Sequence, residues 1–250
     1  MGQFIRMMSY SQSNNVANQI RTPYLIINNA PLSFYTLDDG VMGGQSHTFL
    51  DQLVISSSSS TVTNNGNACM IDGDDDDDNE PNQHHNNGKI RFTGEINTNG
   101  GGFTSIRSML QNGIPKTSKG LKIRYKGDGK TYKILLSDGS KGVGGPFSST
   151  PSWQCDLPTS PSITSSSSST GSISSWSETC LYFDNFIPTF GARKALSEEE
   201  RLKYNFVNED MKQIGIMLSL KLSNGDANPI DTFGSGIFGF HLIIDDIELF

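Results

Sequence analysis

The chain has 250 residues, of which 26 are glycine and 10 proline, with 34% hydrophobic residues and a net charge of −7. That balance leaves no basic footprint for nucleic acid or for an anionic membrane surface. The length suits one domain around one core, and the Gly, Pro and polar content predicts that part of the chain is loop or disordered insertion.

From the N-terminus, residues 1–31 carry Arg6 and Arg21 among Ser, Gln and Asn, and no acidic residue precedes Asp38. This composition fits a weak transit peptide or an unstructured polar arm. No hydrophobic signal core follows Met1, and no apolar run approaches the roughly 20 residues of a membrane span, so no direct span is expected. Period-two patterning then dominates. "HTFLDQLVIS" (47–56), "GKIRFTGEI" (88–96), "GLKIRYKG" (120–127) and "KTYKILLSD" (130–138) read as strands between Gly, Asn and Asp punctuation. "KGDGKT" predicts a tight hairpin joining two adjacent antiparallel strands. "LSEEERLKYNF" is the one helical segment, with Ser197 as N-cap and Glu200 completing a capping box. "MKQIGIMLSLKL" (211–222) and "GIFGFHLIIDDIELF" (236–250) are again strands, the last apolar enough to be buried on both faces. About ten strands and one short helix predict an all-β antiparallel sandwich or jelly roll. Three low-complexity tracts, near 56–60, 72–87 and 159–175, read as insertions at sandwich edges, where loop closure costs little.

The chemical motifs fail one by one. "DGDDDDDNE" lacks the glycine and glutamate phase of a calcium loop, and His84 and His85 beside Cys69 have no zinc-ligand spacing, so no metal is expected. "GDGKT" would need a glycine where Arg124 stands and a helix where a strand follows, and "DGSKGVGG" has no helix after it either. Ser46 and His47 are strand neighbours that point to opposite faces. His241, in the apolar terminal strand, reads as a core or rim histidine. With no acid, base or nucleophile set and no cofactor motif, a non-enzymatic chain is expected. Cys69, Cys155 and Cys180 form no CxxC pair, and no Asn-x-Ser/Thr site occurs, which favours a reducing compartment.

What remains is "DDGVMGGQS" (38–46), three glycines and two aspartates between strand-like runs. It is followed by "FTGEI", "GGGFTSIRS", "GLKIRYKGDGKTYKILL", "WSETCLYFDNFIPTFGAR", "IGIMLS" and "FGFHLIIDDIEL". In this order the motifs resemble the complex I intermediate-associated protein 30 family over about Leu32 to Phe250, apart from the inserted loops. Trp176, seven residues ahead of Phe183, matches that family's tryptophan, while Tyr182 replaces a usual proline and Ala192 interrupts a Gly-Arg pair. The resemblance implies a galactose-binding-like β-sandwich over 32–250. It also implies a non-enzymatic assembly factor, or chaperone, that binds complex I subunits, assembly intermediates and other assembly factors in mitochondria. Plastid relatives serve photosystem biogenesis, and "DDGVMGG" is closer to the bacterial and plastid-type members. A carbohydrate-binding module is the alternative from another class, with Trp153 and Trp176 stacking on sugar rings.

For the site, Gly40, Gly43 and Gly44 are expected to supply backbone angles closed to other residues, and Asp38, Asp39 and Ser46 to bond exposed amides. The result is a structural corner or, together with Gly102, Phe103 and the rest of "GGGFTSIR", a contact surface for a client protein. Met42 and Phe103 read as core plugs or exposed anchors. Arg107 either closes on Asp38 or Asp39 or presents a fork to a partner carboxylate.

Overall fold

In a computed structural model of the chain, the described residues are 26–53, 89–140, 150–161, 176–190 and 196–250. The tracts at 56–60 and 72–87, and nearly all of 159–175, lie outside them. Among the described residues, alternating patterns become thirteen strands. A two-residue hairpin, β1 (Ile26–Ile27) with β2 (Ala30–Pro31), turns at Asn28 and Asn29, both with positive φ. The other strands are β3 (Tyr35–Asp38), β4 (His47–Leu53), β5 (Lys89–Asn97), β6 (Phe103–Met109), β7 (Gly120–Lys126) and β8 (Thr131–Ser137), followed by β9 (Ser152–Pro158), β10 (Ser177–Tyr182), β11 (Ile187–Thr189), β12 (Gln213–Ser219) and β13 (Ile237–Leu249). They form a six-stranded sheet, β11-β9-β8-β12-β6-β3, and a five-stranded sheet, β10-β7-β13-β5-β4. All strand pairs within both sheets are antiparallel.

The core lies between the sheets. Ile90, Phe92 and Ile96 of β5, Leu121 and Ile123 of β7, and Phe240, Leu242 and Ile244 of β13 face Ile106 of β6, Tyr132, Ile134 and Leu136 of β8, and Ile214, Ile216 and Leu218 of β12. Phe92 sits edge-on to Phe240 at 4.8 Å and reaches Tyr132 across the gap at 6.1 Å. Each such side chain contributes about 1.5–3 kcal/mol through burial.

Two expectations are corrected here. "KGDGKT" is not a hairpin: β7 pairs with β10 and β13, β8 pairs with β9 and β12, and the segment carries the chain from one sheet to the other. Gly-Asp-Gly permits a sharp reversal in either case, because positive φ at Gly129 serves a crossover as well as a hairpin. The terminal strand is buried on one face only. Phe240, Leu242 and Ile244 point into the core, while His241 is exposed on the other side, as a rim histidine, and Ile243 is half-buried, because an antiparallel sandwich covers one face of each sheet. The capping box forms as read, with the Ser197 hydroxyl accepting from the Glu200 amide and Glu200 Oε2 from the Ser197 amide, but the helix it starts, α1 (Glu198–Arg201), is a single turn. A second one-turn helix, α2 (Ile230–Phe233), lies between β12 and β13.

Candidate functional site

The "DDGVMGGQS" segment crosses from β3, at the edge of the six-stranded sheet, to β4, at the edge of the five-stranded one. A 3₁₀ turn, Asp39–Met42, ends at Gly43, whose φ of 86° suits glycine. Asp39 is fully buried and organises everything around it. Its Oδ1 accepts from the Ser46 amide at 2.9 Å; its Oδ2 accepts from the Ser46 hydroxyl at 2.7 Å, the Gly102 amide at 2.6 Å and the Phe103 amide at 3.4 Å. Ser46 Oγ in turn accepts from the Asn97 amide at 3.0 Å. One carboxylate therefore ties the β3–β4 crossover to the β5–β6 crossover, Asn97 to Gly102. Burial pushes the Asp39 carboxyl up, but the bonds from Ser46, Gly102 and Phe103 outweigh it and hold the group below its ordinary range.

The glycines follow from that carboxylate. A Cβ on Gly44 or on Gly101 would stand 2.2 Å from the Asp39 carboxyl group. Gly43 alone among the three expected positions needs a left-handed backbone; Gly44 needs space, and Gly40 has no near neighbour and no such angle. The expectation that all three supply forbidden angles is thus corrected. Asp38 is spent locally as well, on the amide and hydroxyl of Thr48.

The clasp makes one end of the sandwich rigid, and this end presents apolar side chains. Leu220 lies over Gly102, and its amide donates to the Gly102 carbonyl at 3.0 Å. Thr98 and Gly236 exchange two hydrogen bonds. Around these joined segments Met42 is 67% exposed and Ile237, the first residue of β13, 65% exposed, and Leu220 after β12 and Ile230 of α2 are exposed as well. Met42 is therefore exposed and not a core plug, while Phe103 is half-buried.

Arg107 does not join the corner. It sits mid-strand in β6, and neither Asp38 nor Asp39 receives it; among the described residues its side-chain hydrogen bond runs from Nη1 to Gln213 Oε1 at 3.4 Å. The reading of a rim arginine closed on those aspartates is corrected: Asp38 accepts from Thr48, Asp39 from Ser46, Gly102 and Phe103, and the Arg107 guanidinium is directed to Gln213. Trp176 is also elsewhere, half-buried against the outer face of the five-stranded sheet. Lys89 and Lys126 place their Nζ atoms 4.7 and 4.6 Å from its ring, and the Arg124 guanidinium lies at 5.4 Å. Asp245 pairs with Arg124 and Lys89, so the indole and one carboxylate hold three cations together. Trp153 is buried in the core against Phe206. The two tryptophans form no exposed flat pair.

Sequence reasoning missed the outer face of the six-stranded sheet. Because Ile214, Ile216 and Leu218 face the core, Gln213, Gly215 and Met217 face outward, and the register sets Arg107, Leu135 and Gln154 in one row with Gly215. The next row holds Ser105, Met217, Lys133 and Asp156. Ser105, Lys133, Ser137, Gln154 and Gln213 are buried. The alternation in "KTYKILLSD" was the available signal, but its polar side reads as solvated.

Among the described residues the fold is a two-sheet antiparallel β-sandwich with one end clasped by Asp39. The profile of the complex I intermediate-associated protein 30 (CIA30) family matches residues 27–239, and the chain belongs to that family, which links it to complex I assembly in general. No curated relative matches at a significant level. Among solved structures it is similar to the family 11 carbohydrate-binding module of the cellulosomal cellulase Lic26A-Cel5E of Clostridium thermocellum, at 10% identity and TM-score 0.44, over 87% of this chain and 86% of that one. A Clostridium thermocellum family 11 module in complex with a beta-1,3-1,4-mixed-linked tetrasaccharide is similar at 10% identity and TM-score 0.43, over 87% of each chain. A solution structure of CtCBM11 is similar at 12% identity and TM-score 0.43, over 92% of this chain and 96% of that one. Likeness at this level says nothing about what this chain binds.

Proposed function

We propose that the chain is a non-enzymatic assembly factor that holds partly built respiratory complex I in mitochondria, acting as a chaperone toward its subunits. Family membership supports the general role. The observation that carries the finer reading is the clasped end of the sandwich, where Met42 of the Asp39 turn, Leu220 after β12, Ile230 of α2 and Ile237 at the start of β13 are exposed beside the Asp39 and Thr98–Gly236 bonds. Apolar side chains held outward on a preorganised frame gain about 1.5–3 kcal/mol each when a partner covers them, with little ordering cost. Asp38, Asp39 and Ser46, the polar groups nearest this end, serve the backbone and not a reaction.

The test is to tag the protein in its own cells, solubilise organelle membranes gently and follow its migration on blue-native gels by mass spectrometry. Co-migration with partial complex I is expected. Migration with photosystem intermediates, or only as free monomer, would overturn the mitochondrial assignment.

A further inference from the structure

Strand β13 runs from Ile237, beside the Asp39 clasp, to Leu249 at the opposite end of the sandwich, and that far end holds an open cleft of about 280 Å³. One side of the cleft is the turn that precedes β7. Residues 115–119 reverse direction there, with the Ser118 amide donating to the Pro115 carbonyl at 3.0 Å. Asn208 Nδ2 reaches into the turn and donates to the carbonyls of Pro115 at 2.8 Å, Ser118 at 2.9 Å and Lys116 at 3.3 Å. The Lys119 carbonyl takes the Phe183 amide at 2.9 Å, so only the Thr117 carbonyl is left. The donors of the turn are not spent in the same way. Among the described residues the ammonium groups of Lys116 and Lys119, the Ser118 hydroxyl and the amides of Lys116 and Thr117 have no intrachain acceptor, and neither lysine has a carboxylate partner.

The rest of the lining is aromatic. Tyr182, the last residue of β10, is 51% exposed, and its ring is held edge-on to Phe250 at 5.2 Å. Phe183, which is buried, and Phe206, which is half-buried, stack on each other at 4.9 Å and complete the apolar part of the cleft. The bond from Phe183 to the Lys119 carbonyl, and a second from the Lys119 amide to the Phe250 carbonyl, tie this wall to the turn. The frame is therefore set before a ligand arrives, which lowers the ordering cost of binding. Asp184 is the one carboxylate among the lining residues. Against Lys116 and Lys119 it leaves a single excess positive charge, which suits one phosphate group better than a polyphosphate chain.

We infer that this cleft binds a small phosphate monoester that carries a flat ring, with the phosphate against Lys116 and Lys119 and the ring against Tyr182. An ionised phosphate is rich in acceptors, and the turn offers it cations and unspent donors while Asn208 holds the competing carbonyls away. An exposed tyrosine ring beside polar donors is a stacking platform for a ring such as a nucleobase. The volume is at the small end of the range for ligand sites and admits one ring and one phosphate. Asn208 is a positioning residue for the turn. The inference does not rest on the client reading, whose exposed residues lie around the opposite end.

The experiment titrates the full chain calorimetrically with AMP, adenosine and ribose 5-phosphate. Wild type is expected to bind AMP saturably and at least about tenfold more tightly than the other two, because adenosine lacks the phosphate and ribose 5-phosphate lacks the ring. The double variant Lys116→Gln with Lys119→Gln should weaken AMP at least about tenfold. Tyr182→Leu should bring AMP down to the level of ribose 5-phosphate, whereas Tyr182→Phe should keep the difference. All of these side chains are exposed, and the Tm of each variant without ligand reports that it is folded. Absence of saturable AMP binding below roughly 10 mM, equal binding of AMP and ribose 5-phosphate, or wild-type affinity in the folded double-lysine variant would each overturn the inference.

Discussion

Asp39 shows how one side chain can account for a whole motif. Its carboxylate receives three amides and one hydroxyl from two separate segments, so Asp39→Asn replaces an acceptor with a donor facing the Gly102 amide. The expected loss is roughly 3 kcal/mol of unfolding free energy by denaturant titration. The sign with pH follows from the lowered folded value: the stabilisation is present above the ordinary carboxylate range near 3.8 and is lost as pH falls through the lower folded pKa. The wild-type stability curve should drop in that acid window, and the Asn variant should be flatter there. Lys133 has the opposite linkage. Its folded pKa of about 8 lies below the ordinary 10.5, so the folding penalty is complete below pH 8 and disappears as pH rises toward 10.5. Lys133→Met is therefore expected to raise stability at pH 7 by about 3 kcal/mol. The gain over wild type should shrink between pH 8 and 10.5; a gain that is the same at both ends would rule out the buried charge as its source.

Among the elements, the crossovers decide more than the strands. Gly44 and Gly101 lie on the two connections that Asp39 joins, and a methyl group on either would occupy the position of its carboxylate. Gly44→Ala and Gly101→Ala should each cost about as much as Asp39→Asn, and Gly44→Ala in an Asp39→Ala background, where the clashing carboxylate is gone, should add little, as coupled sites do. Gly40→Ala, with open space around it, is the control that should change Tm hardly at all. Strand positions were legible because period two survives in any sandwich, and the Ser197–Glu200 capping box was legible because it is local. The pairing of β7 was not. "KGDGKT" has the glycines of a hairpin, but whether the chain returns to the same sheet depends on β13, more than 100 residues later, which takes the place beside β7. The burial of Lys133 and Gln213 was hidden for the same kind of reason: alternation tells which residues share a face, but not whether that face is recessed.

For the molecule as a whole, the clasped end separates folding from surface. Met42→Asp and Ile237→Asp change exposed side chains and should leave Tm within about 1 °C, a shift corresponding to a few tenths of a kcal/mol. Under the proposed function both should reduce co-migration with complex I intermediates on blue-native gels, whereas Arg107→Gln should not. Loss of co-migration in Arg107→Gln alone would move the client surface to the six-stranded sheet. The sequence by itself determined the all-β class, the strands of the core, the helix cap and the family, because these depend on residue type and spacing within short windows. Only the tertiary structure decided that Asp39 serves two crossovers, that Arg107 has no carboxylate partner among the described residues, and that Trp153 lies in the core while Trp176 lies on the outer face of the five-stranded sheet. Those outcomes depend on which distant groups arrive first at hydrogen-bonding distance, and Asp39 meets Gly102 across 63 residues of chain.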